Sequence, residues 1–197
     1  MTGVVIPVVI LAAGASRRLG RPKQIERLGG ETLLERSVRV ATESGLGTVF
    51  AVVDATDVVV VAEARRLRCE VVLNREAEEG MAASIQAGVW AGVRAIGGAP
   101  TGMVVMTCDQ PAVSAGHLRA LAGEGGVVAS EYAGRRGVPA YFPASVFGEL
   151  LALQGDVGAR ELLRGARAIA LEYGELDLDT DEEFEQARVL FGGGAFR

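Results

Sequence analysis

An apolar run, Val8-Val9-Ile10-Leu11, empties into Ala12-Ala13-Gly14-Ala15-Ser16-Arg17-Arg18-Leu19-Gly20-Arg21-Pro22-Lys23, a loop of small side chains carrying three arginines and one lysine. This is a layout for holding a polyphosphate: bare backbone N–H groups approach the oxygens and cations neutralise them. Arg18 supplies a fork and Lys23 a point charge. A solvated loop with ordinary glycine turns has no need to be both stripped of bulk and loaded with cations. Two commoner phosphate loops are excluded: Gly20 is followed by Arg21 where a Walker A loop continues with lysine, and Ser16 stands where a dinucleotide fingerprint has its second glycine.

A second group is Thr107-Cys108-Asp109-Gln110-Pro111. Asp109 follows the apolar run Met103–Met106, so it belongs at a strand's carboxyl end, and a carboxylate facing a triphosphate there is a natural Mg²⁺ ligand. The plainer role is a cap on the next turn. A third is Asp177-Leu178-Asp179-Thr180, where alternation puts both aspartates on one face of an extended segment. Either completes a metal site with Asp109, or the run is a solvated acidic lead into a helix N-terminus. A fourth is the polar stretch Asn74–Ser84, where Gly80 lets a planar base lie against backbone and Ser84 can hydrogen-bond it. Ordinary helix entry is the competing reading. The single histidine, His117, is expected on a helix surface, Cys108 as a small core residue at a strand end, and Trp90 in the core.

The elements that must position these groups alternate. Strands are expected at Val4–Ala12, Thr48–Val53, Glu70–Leu73, Met103–Thr107, from Val127, and at Ala168–Leu171. Val138–Phe142 is a further strand weakened by Pro139, after a turn at Gly134-Arg135-Arg136-Gly137. Helices are expected from the capping box Thr32…Glu35 to Gly45, over Met81–Ile96 with Gly97, Gly98 and Pro100 ending it, and at Ser114–Ala122, Ala144–Leu153 and Ala159–Arg164. A second box at Thr180…Glu183 opens the final helix, and Asp57–Arg68 reads as strand or helix with helix favoured. Such alternation implies βαβ units: a three-layer α/β/α fold with a mostly parallel sheet and a ligand at the strands' carboxyl ends. At 197 residues one domain is expected, with a loose tail from Gly192.

The net charge of −5 argues against a non-specific nucleic-acid binder and makes the N-terminal arginines a local feature. No apolar run approaches the roughly 18 residues of a membrane span, and no basic segment precedes the first strand. Two cysteines make neither a disulfide framework nor a cysteine-rich metal site, so a reduced cytoplasmic protein is expected.

Taken together, Leu11-Ala12-Ala13-Gly14-x-Ser16-x-Arg18-x-Gly20-x-x-Lys23, Gly80-Met81-x-x-Ser84, Asp109-Gln110-Pro111, Gly155-Asp156-x-Gly158-Ala159-Arg160 and Asp177-x-Asp179-Thr180 resemble the MobA-like nucleotidyltransferases. The closest branch is the molybdenum cofactor cytidylyltransferases. The resemblance implies a Rossmann-like fold and transfer of CMP from CTP to the phosphate of molybdopterin, with release of pyrophosphate. It implies that Arg18 and Lys23 bind the triphosphate, that Leu11, Ala12, Ala13, Gly14, Ser16, Gly80 and Ser84 surround the nucleotide, and that Asp109 and Asp179 hold Mg²⁺ with Asp177 as fallback. Ala13 stands where guanylyltransferases tend to have glycine, which favours CTP over GTP. Departures are Thr107-Cys108 for an aliphatic-Ala pair, Asp181 for a proline, and Gln24-Ile25-Glu26 for a leucine-rich continuation. The implied partner is a molybdenum hydroxylase or its maturation factor. Other readings are GTP with molybdopterin, an NTP with a sugar or alcohol phosphate, and a molybdenum cofactor carrier. A dehydrogenase is disfavoured by the missing fingerprint.

Overall fold

The computed structural model describes residues 5–95, 100–123 and 125–191. The expected start of the first strand at Val4, the end of a helix at Ile96–Gly98 and the tail from Gly192 lie outside them. Among these residues nine strands are present: β1 (Val8–Leu11), β2 (Arg27–Leu28), β3 (Glu31–Thr32), β4 (Val49–Asp54), β5 (Glu70–Asn74), β6 (Gly102–Thr107), β7 (Val128–Tyr132), β8 (Arg135–Pro143) and β9 (Arg167–Ala170). Helices are α1 (Leu33–Ser44), α2 (Val58–Arg66), α3 (Met81–Ala95), α4 (Ala115–Leu121), α5 (Phe147–Leu151), α6 (Arg160–Leu163) and α7 (Asp181–Phe191).

Seven strands form one sheet in the order β5-β4-β1-β6-β8-β7-β9, and β8 alone runs against its neighbours. The expected mostly parallel sheet between helical layers is therefore present. Strand alternation builds the two cores. Val8 and Ile10 join Ala51, Val53, Val104 and Met106 under α1, α2 and α4, while Val9 and Leu11 join Phe50, Val52 and Val105 against α3 and α5. A third cluster matters most for the site: Leu19 of the loop, Leu28 and Leu33 pack with Leu178, Phe184 and Phe191. It joins the arginine-rich loop to the C-terminal acidic segment.

Several expectations need correction. Of the described residues expected in the first strand, residues 5–7 lie outside it and regular strand begins at Val8, because Pro7 has no N–H to give the ladder. The favoured helical reading of Asp57–Arg68 holds, over Val58–Arg66: Asp57 accepts from the Val59 and Val60 N–H groups, and burial of Val60, Val61 and Ala64 overrides the β-preference of four valines. The turn falls at Ala133-Gly134, so Arg135–Gly137 are already in β8. Pro139 does not shorten that strand, because pairing jumps from Ala129↔Ala140 to Ser130↔Gly137 and the proline sits in the resulting bulge. Trp90 is not in the core but 55% exposed, since α3 turns Ile85 and Val89 inward and the next residue lies about 100° away. His117 is half-buried and not on the surface, its Nε2 lying 2.7 Å from the buried Ser130 Oγ.

Candidate active site

The carboxyl ends of β1, β4 and β6 and the start of α3 enclose a cleft of about 570 Å³. Leu11, Ala12, Ala13, Gly14, Lys23, Gly80, Ser84 and Asp109 all line it. Ser16, Arg18 and Asp179 are not part of that lining, and the two charged residues meet at its rim: Arg18 Nη1 lies 3.2 Å from Asp179 Oδ2.

The centre of the site is an ammonium between two carboxylates. Lys23 Nζ donates to Asp109 Oδ2 at 2.6 Å and also to Asp179 Oδ1. Burial pulls the Lys23 ammonium down, but the facing Asp109 charge and the hydrogen bonds to both aspartates outweigh it, leaving the group above its ordinary value. The second oxygen of Asp109, Oδ1, is buried with no hydrogen-bond partner. An orphaned carboxylate oxygen costs free energy unless something else meets it. Among the described residues no three His, Cys, Asp or Glu side chains gather as a metal cage. A magnesium ion needs only one or two carboxylates when phosphates and water complete its shell, so an orphaned Asp109 oxygen beside Asp179 fits it.

Local structure explains how these groups meet. Lys23 opens a short 3-10 turn, Lys23–Ile25, and its N–H donates to Ser16 Oγ at 3.1 Å. The Ser16 hydroxyl thus anchors the lysine. Gln24 is buried and its Nε2 donates to the Ala12 and Gly14 carbonyls, both at 2.8 Å, which fixes the bare loop. Sequence reasoning gave this residue no role; the available signal was an amide directly after the lysine of a loop that must be held still. On the acidic side, the Leu178 N–H donates to the Asp109 carbonyl at 3.1 Å, laying residues 177–179 across the end of β6.

The expectation that Asp177 and Asp179 share a face of an extended segment fails. The Asp179 N–H bonds the Asp177 carbonyl at 3.0 Å, so the chain folds between them around the buried Leu178. Asp179 turns to Lys23, while Asp177 stands 3.8 Å from Arg135. Burial, reinforced by the Asp109 charge, raises the Asp177 carboxyl to about 6. Arg21 binds Glu26 and Asp181, which makes it a loop clamp. Ser84 is buried and accepts from Asn74 Nδ2. Gly80 has φ +105°, and a Cβ there would come 2.7 Å from the Gly155 backbone. Gly155 and Asp156 accept from the Ala82 and Met81 N–H groups, so this segment caps α3, a contact that sequence reasoning missed. Cys108 is buried, and its thiol is pushed up to about 12 by burial and then by Asp109, which suits a packing residue.

Residues 8–172 match the family of the MobA-like NTP transferase domain. The chain belongs to this family. Relatives agree in extent. The purine catabolism protein PucB of Bacillus subtilis is 35% identical, over 91% of this chain and 94% of its own. A protein of Opitutus terrae named as a probable molybdenum cofactor guanylyltransferase is 32% identical, over 81% of this chain and 73% of its own. The crystal structure of Rv0371c from Mycobacterium tuberculosis H37Rv superposes with a TM-score of 0.78 at 29% identity, covering 96% of this chain and all of that one. A manganese complex of Rv0371c aligns at 0.73 and 26%, covering 94% and 98%. As a MobA-like NTP transferase the chain is a nucleotidyltransferase, and none of its described helices is long and apolar enough to cross a membrane.

Proposed function

We propose that the protein transfers CMP from CTP to the terminal phosphate of a molybdopterin cofactor, releasing pyrophosphate, with Mg²⁺ and in the cytoplasm. The observation that carries this is the convergence of Asp109 and Asp179 on Lys23 beside a bare loop. Asp109 and Asp179 would hold the Mg²⁺, which supplies charge neutralisation and orientation of phosphate oxygens when bound. The manganese complex of Rv0371c supports a divalent cation in this fold.

A phosphate monoester is already anionic near neutrality, so its attack on the α-phosphorus of CTP needs no general base. That suits a chain whose sole histidine is committed to Ser130. One acceptor oxygen bonds to the α-phosphorus as the bond to the bridging α–β oxygen breaks. The chain's own contribution is alignment and charge. We assign Arg18 and Lys23 to the triphosphate, Leu11–Gly14 and Ser16 to the phosphate loop, and Gly80 and Ser84 to the base. We further propose a molybdenum hydroxylase or its maturation factor as recipient. The name of the Bacillus subtilis relative, in purine catabolism, favours a purine-oxidising one.

The Opitutus terrae relative favours GTP as a second reading. A panel of CTP, GTP, ATP and UTP with Mg²⁺, with and without molybdopterin or sugar phosphates, separates these by pyrophosphate release. Release that requires both CTP and molybdopterin is expected. Release with GTP alone among the nucleotides moves the assignment to a guanylyltransferase. Molybdopterin binding with no release from any nucleotide sinks the enzyme and leaves a carrier.

A further inference from the structure

Arg135 and Arg136 form an exposed basic pair that neither the cleft nor the phosphate loop uses. Their place in the sheet is informative. β6, which delivers Asp109, has two neighbours: β1, carrying the phosphate loop, and β8, which begins at Arg135. The paired register of β6 with β8 ends at Val105↔Ala140, two residues before β6 itself ends at Thr107, so the first residues of β8, 135–137, run on past the end of β6. The tip of the β7–β8 hairpin therefore stands at the same sheet edge as the site, on the side of Asp109 away from the nucleotide loop.

The two arginines differ. Arg136 Nη1 is bound to the Arg164 carbonyl. Arg135 lies over the Tyr132 ring, 5.2 Å from its centroid, and its one ion-pair partner among the described residues is Asp177 at 3.8 Å, near the outer limit of such a pair. Its side chain is 58% exposed. The platform beneath it is held by a chain of hydrogen bonds. Gln110 Nε2 donates to the Tyr132 hydroxyl at 3.3 Å and to the Gly174 carbonyl at 3.0 Å. Tyr132 donates in turn to the Val138 carbonyl, and its hydroxyl would lie 2.1 Å from a Cβ at position 137, so only glycine fits there. The residue next to Asp109 thus fixes Arg135 relative to Asp109.

An incoming phosphate monoester meets Asp109, Asp177 and Asp179 together, and needs a cation on its own side. Lys23 is shared by Asp109 and Asp179, Arg18 faces Asp179, Arg21 is clamped by Glu26 and Asp181, and Arg17 lines the cleft on the side of the phosphate loop. Resting on the transferase reading above, we infer that Arg135 anchors the acceptor's phosphate, with Tyr132 and Asp177 orienting the guanidinium fork. A planar fork held on an aromatic face suits bidentate capture of phosphate oxygens.

The test reads binding directly in the full chain with Mg²⁺: molybdopterin by pterin fluorescence, and CTP by calorimetry. R135Q is expected to weaken molybdopterin roughly tenfold or more, leave CTP affinity unchanged and, the site being exposed, leave Tm unchanged. R135K recovers part of the loss. A pterin lacking the phosphate binds wild type and R135Q alike. Equal molybdopterin affinity in wild type and R135Q overturns the anchor, as does a CTP affinity that falls in step. The two readings fail separately. Wild-type turnover that survives intact in R135Q removes the anchor alone. Arg135-dependent binding with no pyrophosphate release removes the transferase alone.

Discussion

Lys23 stands where a divalent cation would otherwise balance Asp109 and Asp179. On the proposed assignment, lysine and metal share the same two carboxylates, with Asp109 Oδ2 on the lysine and Oδ1 open to the metal. In Lys23→Met the carboxylates lose their counter-ion, so Tm should fall, and Mg²⁺ or Mn²⁺ should raise Tm more in the variant than in wild type. A smaller metal-induced rise in the variant contradicts a shared site. Pyrophosphate release should drop by roughly a hundredfold or more in Lys23→Ala or Asp109→Ala, with circular dichroism showing a folded chain. Gln24→Ala leaves two loop carbonyls without their donor. The KM for nucleotide should then rise well before kcat changes, because the loop loses its shape and no reacting group is removed. The motif residues were legible because chemistry restricts their types: a cation among small side chains, a carboxylate at a strand's end. Gln24 and Gln110 were not, because an amide's value lies in which carbonyls it reaches, and those belong to distant turns.

Helix α7 positions the second acid. Glu183 Oε2 accepts from the Asp179 N–H, the Thr180 N–H and the Thr180 hydroxyl, at 2.9, 2.8 and 2.9 Å. Thr180→Ala should cost about 1 kcal/mol of stability, as loss of a helix cap does. Glu183→Ala should weaken metal binding in a thermal-shift titration although it touches no phosphate and no metal. A metal affinity equal to wild type would show that Asp179 needs no such support. The box was readable because Thr180…Glu183 is a local pattern, as was Thr32…Glu35, which also forms. The hairpin of β2 and β3 was not, since two-residue strands carry no periodicity. Trp90 is instructive: a helix of alanine, glycine and valine suggests burial all round, yet only the face at 82, 85 and 89 meets the sheet. Which face packs is decided by the partner.

Across the whole molecule, His117 joins α4 to β7 through Ser130, whose own hydroxyl donates to the Pro139 carbonyl at 2.6 Å. With that proton committed, the imidazole must be the donor. Burial lowers the His117 pKa below 6.5. The unfolded chain therefore takes up a proton at His117 before the folded one as pH falls, so the His117 contribution lowers stability below about pH 6.5, while the raised Asp177 carboxyl acts in the opposite sense below about pH 6. His117→Asn should remove the His117 part of the slope in urea titrations at pH 5 to 7, whereas an unchanged slope places the titrating group elsewhere. The alternation of strands and helices was readable along the chain. The sheet order was not, because nothing local tells β8 to enter between β6 and β7 and run backwards.

The third apolar cluster also sets a timetable. Lys23 and Asp179 are 156 residues apart in sequence, and they are brought together only when Leu178 and Phe184 settle on Leu19 and Leu28. During synthesis the sheet's strands all emerge before Asp179 does. On the proposed assignment, a nascent chain carries its phosphate loop through synthesis of the whole sheet without Asp179, so transfer chemistry is withheld until the segment after β9 has emerged.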